Sequence, residues 1–200
     1  MGVQDRECAR EGRELAMEEK RSDRRAVYTR AAIRNAFFEI MREKGFAKMS
    51  VADICKRADI SRGTFYLHYE DKFALLNTLI DAALDAAPLV SEKPSTMCQR
   101  APSTEDDLLL YQDPTTSPWV AQRIIDRSTP EVVPTIMKAA GLSEQDASIL
   151  FAHIVHGNLA VNQHLGWKGD ARFLDVQTLL ARFIDGGLSS LRNINGQQES

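Results

Sequence analysis

The chain has 200 residues and a net charge of −3, with 44% hydrophobic and 26% charged residues. This is an ordinary globular composition, which suits one or two domains and excludes a collagen-like or wholly disordered chain. No apolar run approaches the roughly 18 residues of a membrane span, and the first residues lack the apolar stretch of a signal peptide. The sequence therefore predicts a cytoplasmic protein with no membrane partner. Cys8, Cys55 and Cys98 are too few and too far apart to predict a disulfide framework or a zinc module.

The charge is unevenly distributed along the chain. Residues 1–19 carry a net charge of −3, residues 20–72 carry 13 basic and 7 acidic side chains, and residues 73–200 carry a net charge of −6. A basic segment on an acidic chain is typical of a small module that binds a polyanion, although a charge run is more often only a solvated face. Residues 1–23 are polar and predict a mobile N-terminal arm or a frayed helix.

Apolar residues at helical spacing predict a first helix from Arg24 to the stop at Gly45. They are Ile33, Ala36, Phe37, Ile40 and Met41. Ser50 with Asp53 resembles a capping box and predicts a short second helix that ends near Arg57. After a turn at Asp59 and Ile60, Ser61 is predicted to cap a third helix that reaches about Tyr69.

A fourth helix is predicted from about Asp71 to Pro88, followed by loops around one weak helix over residues 88–118. Two helices are predicted over 119–127 and 131–140, and a long one over 143–166. After a turn at 166–169, Asp170 is predicted to cap the last helix. No segment shows sustained period-2 alternation, so the fold class predicted is all-α.

The two short helices behind a longer one form a helix-turn-helix pattern. A helix that enters the major groove needs small, polar or cationic residues at its N-terminus. Ser61, Arg62, Gly63 and Thr64 meet this need, because Arg62 and Thr64 can reach base edges or phosphates while Gly63 removes bulk at the point of approach.

The stretch ADICKRADISRGTFYLHY at 52–69 and the following DKFALL at 71–76 resemble the tetracycline-repressor (TetR) family of bacterial regulators. The resemblance implies a three-helix DNA-binding domain with its connecting helix over residues 24–87. It also implies a helical effector-binding and dimerisation domain over 88–200. Two positions depart from the family pattern: Asp59 replaces a frequent Gly, and Cys55 replaces a more usual Ala. Asp tolerates the left-handed conformation well enough for the turn to survive.

The resemblance also implies which residues contact DNA. They are Ser50, Ser61, Arg62, Gly63, Thr64, Tyr66, His68, Tyr69 and Lys72. Arg62, Thr64, Tyr66 and His68 would face the groove, and Ser50, Tyr69 and Lys72 would contact or orient phosphates. Ordinary packing is the alternative for the two tyrosines, and a surface position near the groove is the alternative for His68.

The resemblance further implies that Phe65 packs in a small core. Its predicted neighbours are Ile54, Phe37 and Ile40.

The last two helices have broader apolar faces than one helix pair needs. This pattern predicts a homodimer through a four-helix bundle, and a two-fold dimer would read a palindromic operator in double-stranded DNA. An apolar pocket for an unknown small-molecule effector is also predicted, with plain core packing as the alternative. Its candidate residues are Trp119, Met137, Phe151, His153, Asn158 and Trp167.

Neither a metal site nor a cofactor is predicted. His153 and His156 have a spacing compatible with shared ligation, but His164 lies about 16 Å further along the helix axis than His153. No Ser-His-Asp ordering, phosphate-binding Gly-rich loop or HExxH motif occurs, so the chain is not predicted to be an enzyme.

These observations predict a DNA-binding transcriptional regulator, a repressor that a small-molecule ligand releases from its operator. One alternative is a DNA-binding regulator with no small-molecule inducer, controlled by a protein partner or by its own concentration. Another is a helical scaffold whose helix-turn-helix has lost DNA, which the intact 61–69 segment and the basic charge of residues 20–72 disfavour.

Overall fold

In the computed structural model, residues 3–86 and 102–198 are described, and the elements found there are helices. They are α1 (Val3–Lys44), α2 (Val51–Arg57), α3 (Arg62–Tyr66), α4 (Lys72–Ala86), α5 (Glu105–Gln112), α6 (Ser117–Ala140), α7 (Glu144–His164) and α8 (Ala171–Gln198). The prediction of an all-α fold is confirmed. In the described ranges, no helix is long and apolar enough to cross a membrane.

The chain forms two compact units, of which the first ends at Ala74 and the second begins at Leu75. This division falls inside α4, the helix predicted to connect the two domains. The domain boundary predicted between residues 87 and 88 lies outside the described residues.

Helix α1 begins at Val3, well before Arg24, where the apolar stripe predicted its start. Its first half includes many Glu, Arg, Ala and Met residues, which favour a helix through intrinsic propensity without an apolar face. A search for apolar periodicity misses such a segment. That residues 1–23 form a mobile arm stays a prediction.

Local capping contacts fix the starts and ends of the helices in the first unit. The Ser50 side chain accepts from the Asp53 N–H and the Asp53 carboxylate accepts from the Ser50 N–H, which completes the predicted capping box. Asp59 adopts a left-handed φ of 52° in the turn before Ser61, and Gly45 does so at 73° after α1. The predicted turn survives without glycine at position 59.

The core of the first unit is aromatic. Phe37, Ile54 and Phe65 are fully buried and Ile40 is 2% exposed, as the resemblance implied. The ring of Phe46 lies 6.0 Å from that of Phe37 and 5.4 Å from that of Phe73, distances typical of attractive ring pairs. This core holds α1, α2 and α3 together.

The prediction of two helices over 119–127 and 131–140 is wrong, because α6 is a single helix that contains Pro130 and Pro134. A proline inside a helix removes one hydrogen bond and costs about 3 kcal/mol. Helix α6 continues because its buried face continues: Ile124 before the prolines, Val132 between them and Ile136 after them are all buried. Tertiary packing here outweighs the local cost. Gly141 closes the helix with a left-handed φ of 64°, as predicted.

Helices α7 and α8 begin and turn where the sequence predicted. Ser143 accepts from the Asp146 N–H at 3.1 Å, and Asp170 accepts from the Phe173 N–H at 2.9 Å. In the turn between the helices, Trp167 is buried with an uncommon left-handed φ of 55°. The second unit also contains a buried amide pair, in which Gln177 Nε2 donates to Asn162 Oδ1 at 2.6 Å.

Candidate DNA-binding surface

Three ion pairs fix α2 against α1. The Arg57 guanidinium donates to Glu39 at 3.1 Å and to Glu43 at 2.8 Å, and Lys44 pairs with Asp53 at 2.8 Å. The hydrogen bond from Arg57 lowers the pKa of Glu43. Sequence reasoning missed the Arg57 contacts because 14 and 18 residues separate the partners. They position the helix that precedes the predicted recognition helix.

Helix α3 has one buried side and one outward side. Phe65 is fully buried, whereas Gly63, Tyr66 and Leu67 on the remaining surface are exposed. Arg62 is also exposed, and it forms no hydrogen bond or ion pair within the described parts of the chain. The guanidinium is therefore available to a partner that carries acceptor groups.

The predicted hydroxyl contacts are used for helix caps. Ser61 accepts from the Thr64 N–H at 3.0 Å, and the two side-chain hydroxyls lie 2.8 Å apart. Ser50 donates its hydroxyl to Asp53 at 2.6 Å. These side chains have a structural role in the first unit, and their contact with DNA stays a prediction.

The fold does not require glycine at position 63. A Cβ built on Gly63 would meet only the Ser61 hydroxyl oxygen, at an ordinary 3.6 Å, and the φ of Gly63 is not in the left-handed region. Alanine would favour the helix by about 0.5–1 kcal/mol. Glycine at this exposed position therefore has a reason outside the first unit's own packing, such as close approach of a partner.

Tyr69 and His68 are less exposed than Tyr66, although the Tyr66 ring also lies 5.6 Å from that of Phe65. The Tyr69 ring lies 5.8 Å from that of Phe65, and burial raises the pKa of the Tyr69 phenol. His68 is half-buried with its ring 6.4 Å from that of Tyr69. Tyr66 is 55% exposed. Of these three side chains, Tyr66 is the most accessible to a partner.

Lys72 occupies a different environment from the one predicted for it. Its ammonium donates to the backbone carbonyls of Phe46 at 3.2 Å and Met49 at 2.8 Å. It also lies 4.5 Å from the centre of the Phe46 ring, within the range of a cation–π contact. Because an ammonium has three donors, at most one remains for a phosphate. Lys72 holds the loop between α1 and α2, and its contact with phosphate stays a prediction.

Cys55 fits the core as a small apolar group. It is 5% exposed, and burial raises the pKa of its thiol. The replacement of the more usual alanine is therefore accommodated by packing.

The predicted effector-pocket residues differ in their burial and surroundings. An open groove of about 380 Å³ lies between α7 and α8, and its lining is almost wholly apolar. Of the six candidates, only His153 and Asn158 line it. Phe151 is fully buried, Trp119 is 42% exposed, and Trp167 packs 5.2 Å from the Tyr111 ring. No group of three or more metal-ligating side chains occurs among the described residues.

Residues 33–79 match the family model described as "Bacterial regulatory proteins, tetR family". The resemblance drawn from residues 52–76 is confirmed. The family and the relatives below are transcriptional regulators rather than enzymes.

Two curated relatives match a short part of the chain. The HTH-type transcriptional regulator YxbF of Bacillus subtilis (strain 168) is 44% identical over 63 residues, which are 31% of this chain and 17% of that protein. The HTH-type transcriptional regulator UidR of Escherichia coli (strain K12) is 46% identical over 52 residues, 26% of each chain. The similarity thus covers at most about a quarter of these relatives' own length.

One solved structure resembles the fold of most of the chain. It is the crystal structure of a TetR transcriptional regulator from Streptococcus agalactiae 2603V, with a TM-score of 0.58 and 20% sequence identity. The likeness covers 83% of this chain and 98% of that one. At this identity it shows the fold alone.

Proposed function

We propose that this chain, which belongs to the tetR family of bacterial regulatory proteins through residues 33–79, is a sequence-specific DNA-binding transcriptional regulator. The observation that carries the proposal is the outward side of α3, where Arg62, which forms no ion pair with another described residue, lies beside Gly63 and Tyr66. The first unit needs neither the glycine nor the exposed side chains for its own packing. The net charge of +6 over residues 20–72 supports a polyanionic partner.

The regulator is proposed to act as a homodimer through the groove between α7 and α8. Apolar side chains line the groove, and Phe183 at its edge is 75% exposed. An exposed apolar surface of this kind typically marks an interface, and a two-fold pair of α7 and α8 would form a four-helix bundle. The two α3 helices of such a dimer would read a palindromic operator with half-sites one DNA turn, or a multiple of it, apart.

The regulator is further proposed to be a cytoplasmic repressor that a small-molecule ligand releases from DNA. Release requires that the ligand bind two conformers of the dimer with different affinity. Ion pairs connect the two helices that would carry such a change. Arg123 of α6 donates two bonds of 2.6 Å to Asp81 of α4, and Arg127 of α6 pairs with Asp85. A shift of α6 would therefore displace α4, which continues into the first unit.

A second function is a DNA-binding regulator without a small-molecule inducer, controlled by a protein partner or by its own concentration. The α7–α8 groove favours it, because Trp119, Phe151 and Trp167 are not among the residues that line this groove. Equilibrium dialysis against metabolite extracts separates the two functions: a retained compound that dissociates the DNA complex supports the inducible repressor, and retention of nothing supports the alternative.

The decisive experiment is a fluorescence-anisotropy titration of the full chain against DNA from upstream of its own gene, at two salt concentrations. A shuffled duplex is the control. The proposal expects the upstream duplex to bind about 10³-fold more tightly or better, and to keep this preference at physiological salt. Binding to neither duplex would contradict a DNA-binding function.

The dimer is tested separately by light scattering after gel filtration. Phe183→Glu places a charge in the apolar groove and is expected to give a monomer, whereas the exposed Arg172→Glu on the same helix should leave the dimer intact. A monomeric wild type at micromolar concentration would contradict the proposed interface.

A further inference from the structure

The most exposed large apolar side chain in the described parts of the chain is Leu67, which is 83% exposed. It lies at the end of α3, where its N–H donates to the Gly63 carbonyl at 3.1 Å and its φ and ψ remain helical at −69° and −22°. Leu67 is therefore one helical turn after Gly63, on the same outward side of α3. Phe65 lies on the opposite side and is fully buried.

Gly63 leaves the space before Leu67 empty. Because residues four apart lie above one another on a helix, the position one turn earlier would normally cover part of a leucine side chain. Here it has no side chain, and the neighbouring exposed groups are Tyr66 and the preceding Arg62. The isobutyl group of Leu67 is thus presented without a covering neighbour at the C-terminal end of the surface that is proposed to face DNA.

A leucine can neither donate nor accept a hydrogen bond, so it cannot read the polar edges of the bases or bind a phosphate oxygen. The major groove offers one apolar feature, the C5-methyl group of thymine. We propose that Leu67 packs against the C5-methyl of one thymine in each operator half-site and is a specificity-determining residue. This inference rests on the proposed DNA-binding function.

The test combines removal of the leucine side chain with removal of the thymine methyl group. Each thymine of the operator found by anisotropy is replaced in turn by deoxyuridine, which keeps the O4 acceptor and lacks only the methyl. The full-length wild type, Leu67→Ala and Leu67→Met are titrated against each duplex. Unfolding curves of the three proteins are expected to coincide, since the side chain is exposed.

The expected result is one thymine per half-site at which deoxyuridine weakens wild-type binding by about fourfold, the effect of losing one buried methyl-sized group. Leu67→Ala should bind the unmodified operator more weakly, and its affinity should not change when deoxyuridine replaces thymine at that same position. Leu67→Met keeps an apolar side chain of similar volume and should retain the sensitivity.

Two outcomes would overturn the inference and are distinguishable from each other. If the wild type prefers the operator over a shuffled duplex but Leu67→Ala responds to every deoxyuridine as the wild type does, Leu67 reads no methyl group and only this inference fails. If the wild type shows no preference for any upstream duplex, the proposed function fails and this inference fails with it.

Discussion

The two units of this molecule differ in how their candidate sites are built. In the first unit, the surface proposed to contact DNA comes from consecutive residues, 61–67, on one short helix and its caps. In the second unit, the groove is assembled from α7 and α8, with Leu150 and Leu191 among its lining residues. Capping signals predicted helix starts equally well in both units. A candidate surface contained in one local segment can be proposed from the sequence, whereas the lining of a groove between two helices depends on how the helices pack.

The largest effect is expected from replacing Arg62, the exposed arginine of the surface proposed to contact DNA. If Arg62 reads a base, Arg62→Ala is expected to cost about 1–3 kcal/mol of DNA-binding free energy and to relax specificity at one operator position. Anisotropy titrations against single-base operator variants measure both quantities. Arg172→Ala, which removes one exposed charge from the second unit, is the matched control. Uniform weakening across all sequences with a smaller salt slope would instead assign Arg62 to a phosphate.

The next effect concerns stability rather than DNA binding. Lys72→Met leaves the carbonyls of Phe46 and Met49 without the ammonium donor and is expected to lower the free energy of unfolding by about 1–3 kcal/mol. Far-UV circular dichroism in urea measures this change. Tryptophan fluorescence serves as the internal control, because both tryptophans lie in the second unit.

The salt dependence of DNA binding distinguishes the two roles of Lys72. A structural lysine leaves the salt slope of the folded variant unchanged, whereas loss of a phosphate contact reduces that slope by about one. An unchanged unfolding curve together with a reduced slope would show that the phosphate role was the correct one.

A smaller effect is expected when either of two exposed helical glycines, one in each unit, is replaced by alanine. A Cβ at Gly63 meets only Ser61 at 3.6 Å, and a Cβ at Gly157 meets nothing within 4 Å. Both alanine variants are therefore expected to gain about 0.5–1 kcal/mol in the free energy of unfolding. Gly63→Ala should weaken DNA binding, and Gly157→Ala, in the α7–α8 groove, should weaken the dimer instead. If neither variant loses any binding, both proposed surfaces would be contradicted.

The smallest effect is a dependence of stability on acid pH. The hydrogen bonds from Lys44 and Ser50 hold the pKa of Asp53 well below its usual range. A folded-state pKa below the unfolded value stabilises the fold at pH values above the unfolded pKa of about 3.9, and this contribution is lost as the pH falls further. Because the carboxylate is partly exposed, the effect is screened by salt.

Urea unfolding between pH 5 and pH 2 measures this dependence. The Asp53→Asn variant should show a flatter decline than the wild type. Asp59→Asn is the control, since Asp59 is exposed in its turn and forms no ion pair within the described ranges. Parallel declines in the wild type and Asp53→Asn would exclude the ion pair as the cause.

Sequence reasoning worked where the determining contact is local. The Ser50–Asp53 box and the left-handed Asp59 turn involve residues at most three positions apart, so the local sequence is enough to predict them. The burial of Phe65 followed from the family resemblance. For the first part of α1 the sequence left a mobile arm and a frayed helix open, because this part has helix-forming residues without an apolar stripe.

Contacts between residues that are far apart in the sequence could not be predicted from local sequence patterns. Lys72 reaches carbonyls 23 and 26 positions away, and nothing around it in the sequence indicates that they are near. Likewise, Trp119 and Phe151 are both large apolar residues, but one is half-exposed and the other fully buried. Which apolar residues meet in a pocket depends on how the helices pack, whereas periodicity predicts only which side of each helix is apolar.

The two prolines of α6 have a mechanical consequence. Pro130 and Pro134 have no N–H group to donate to the carbonyls of Asp126 and Pro130, four residues earlier. Each of two adjoining turns of the helix therefore lacks one backbone hydrogen bond. The helix is most compliant there. Arg123 and Arg127, which hold α4, both precede the first proline, while Ile136 and Met137 follow the second. We therefore expect α6 to bend more easily at the prolines than in its first half, where Arg123 and Arg127 hold it to α4.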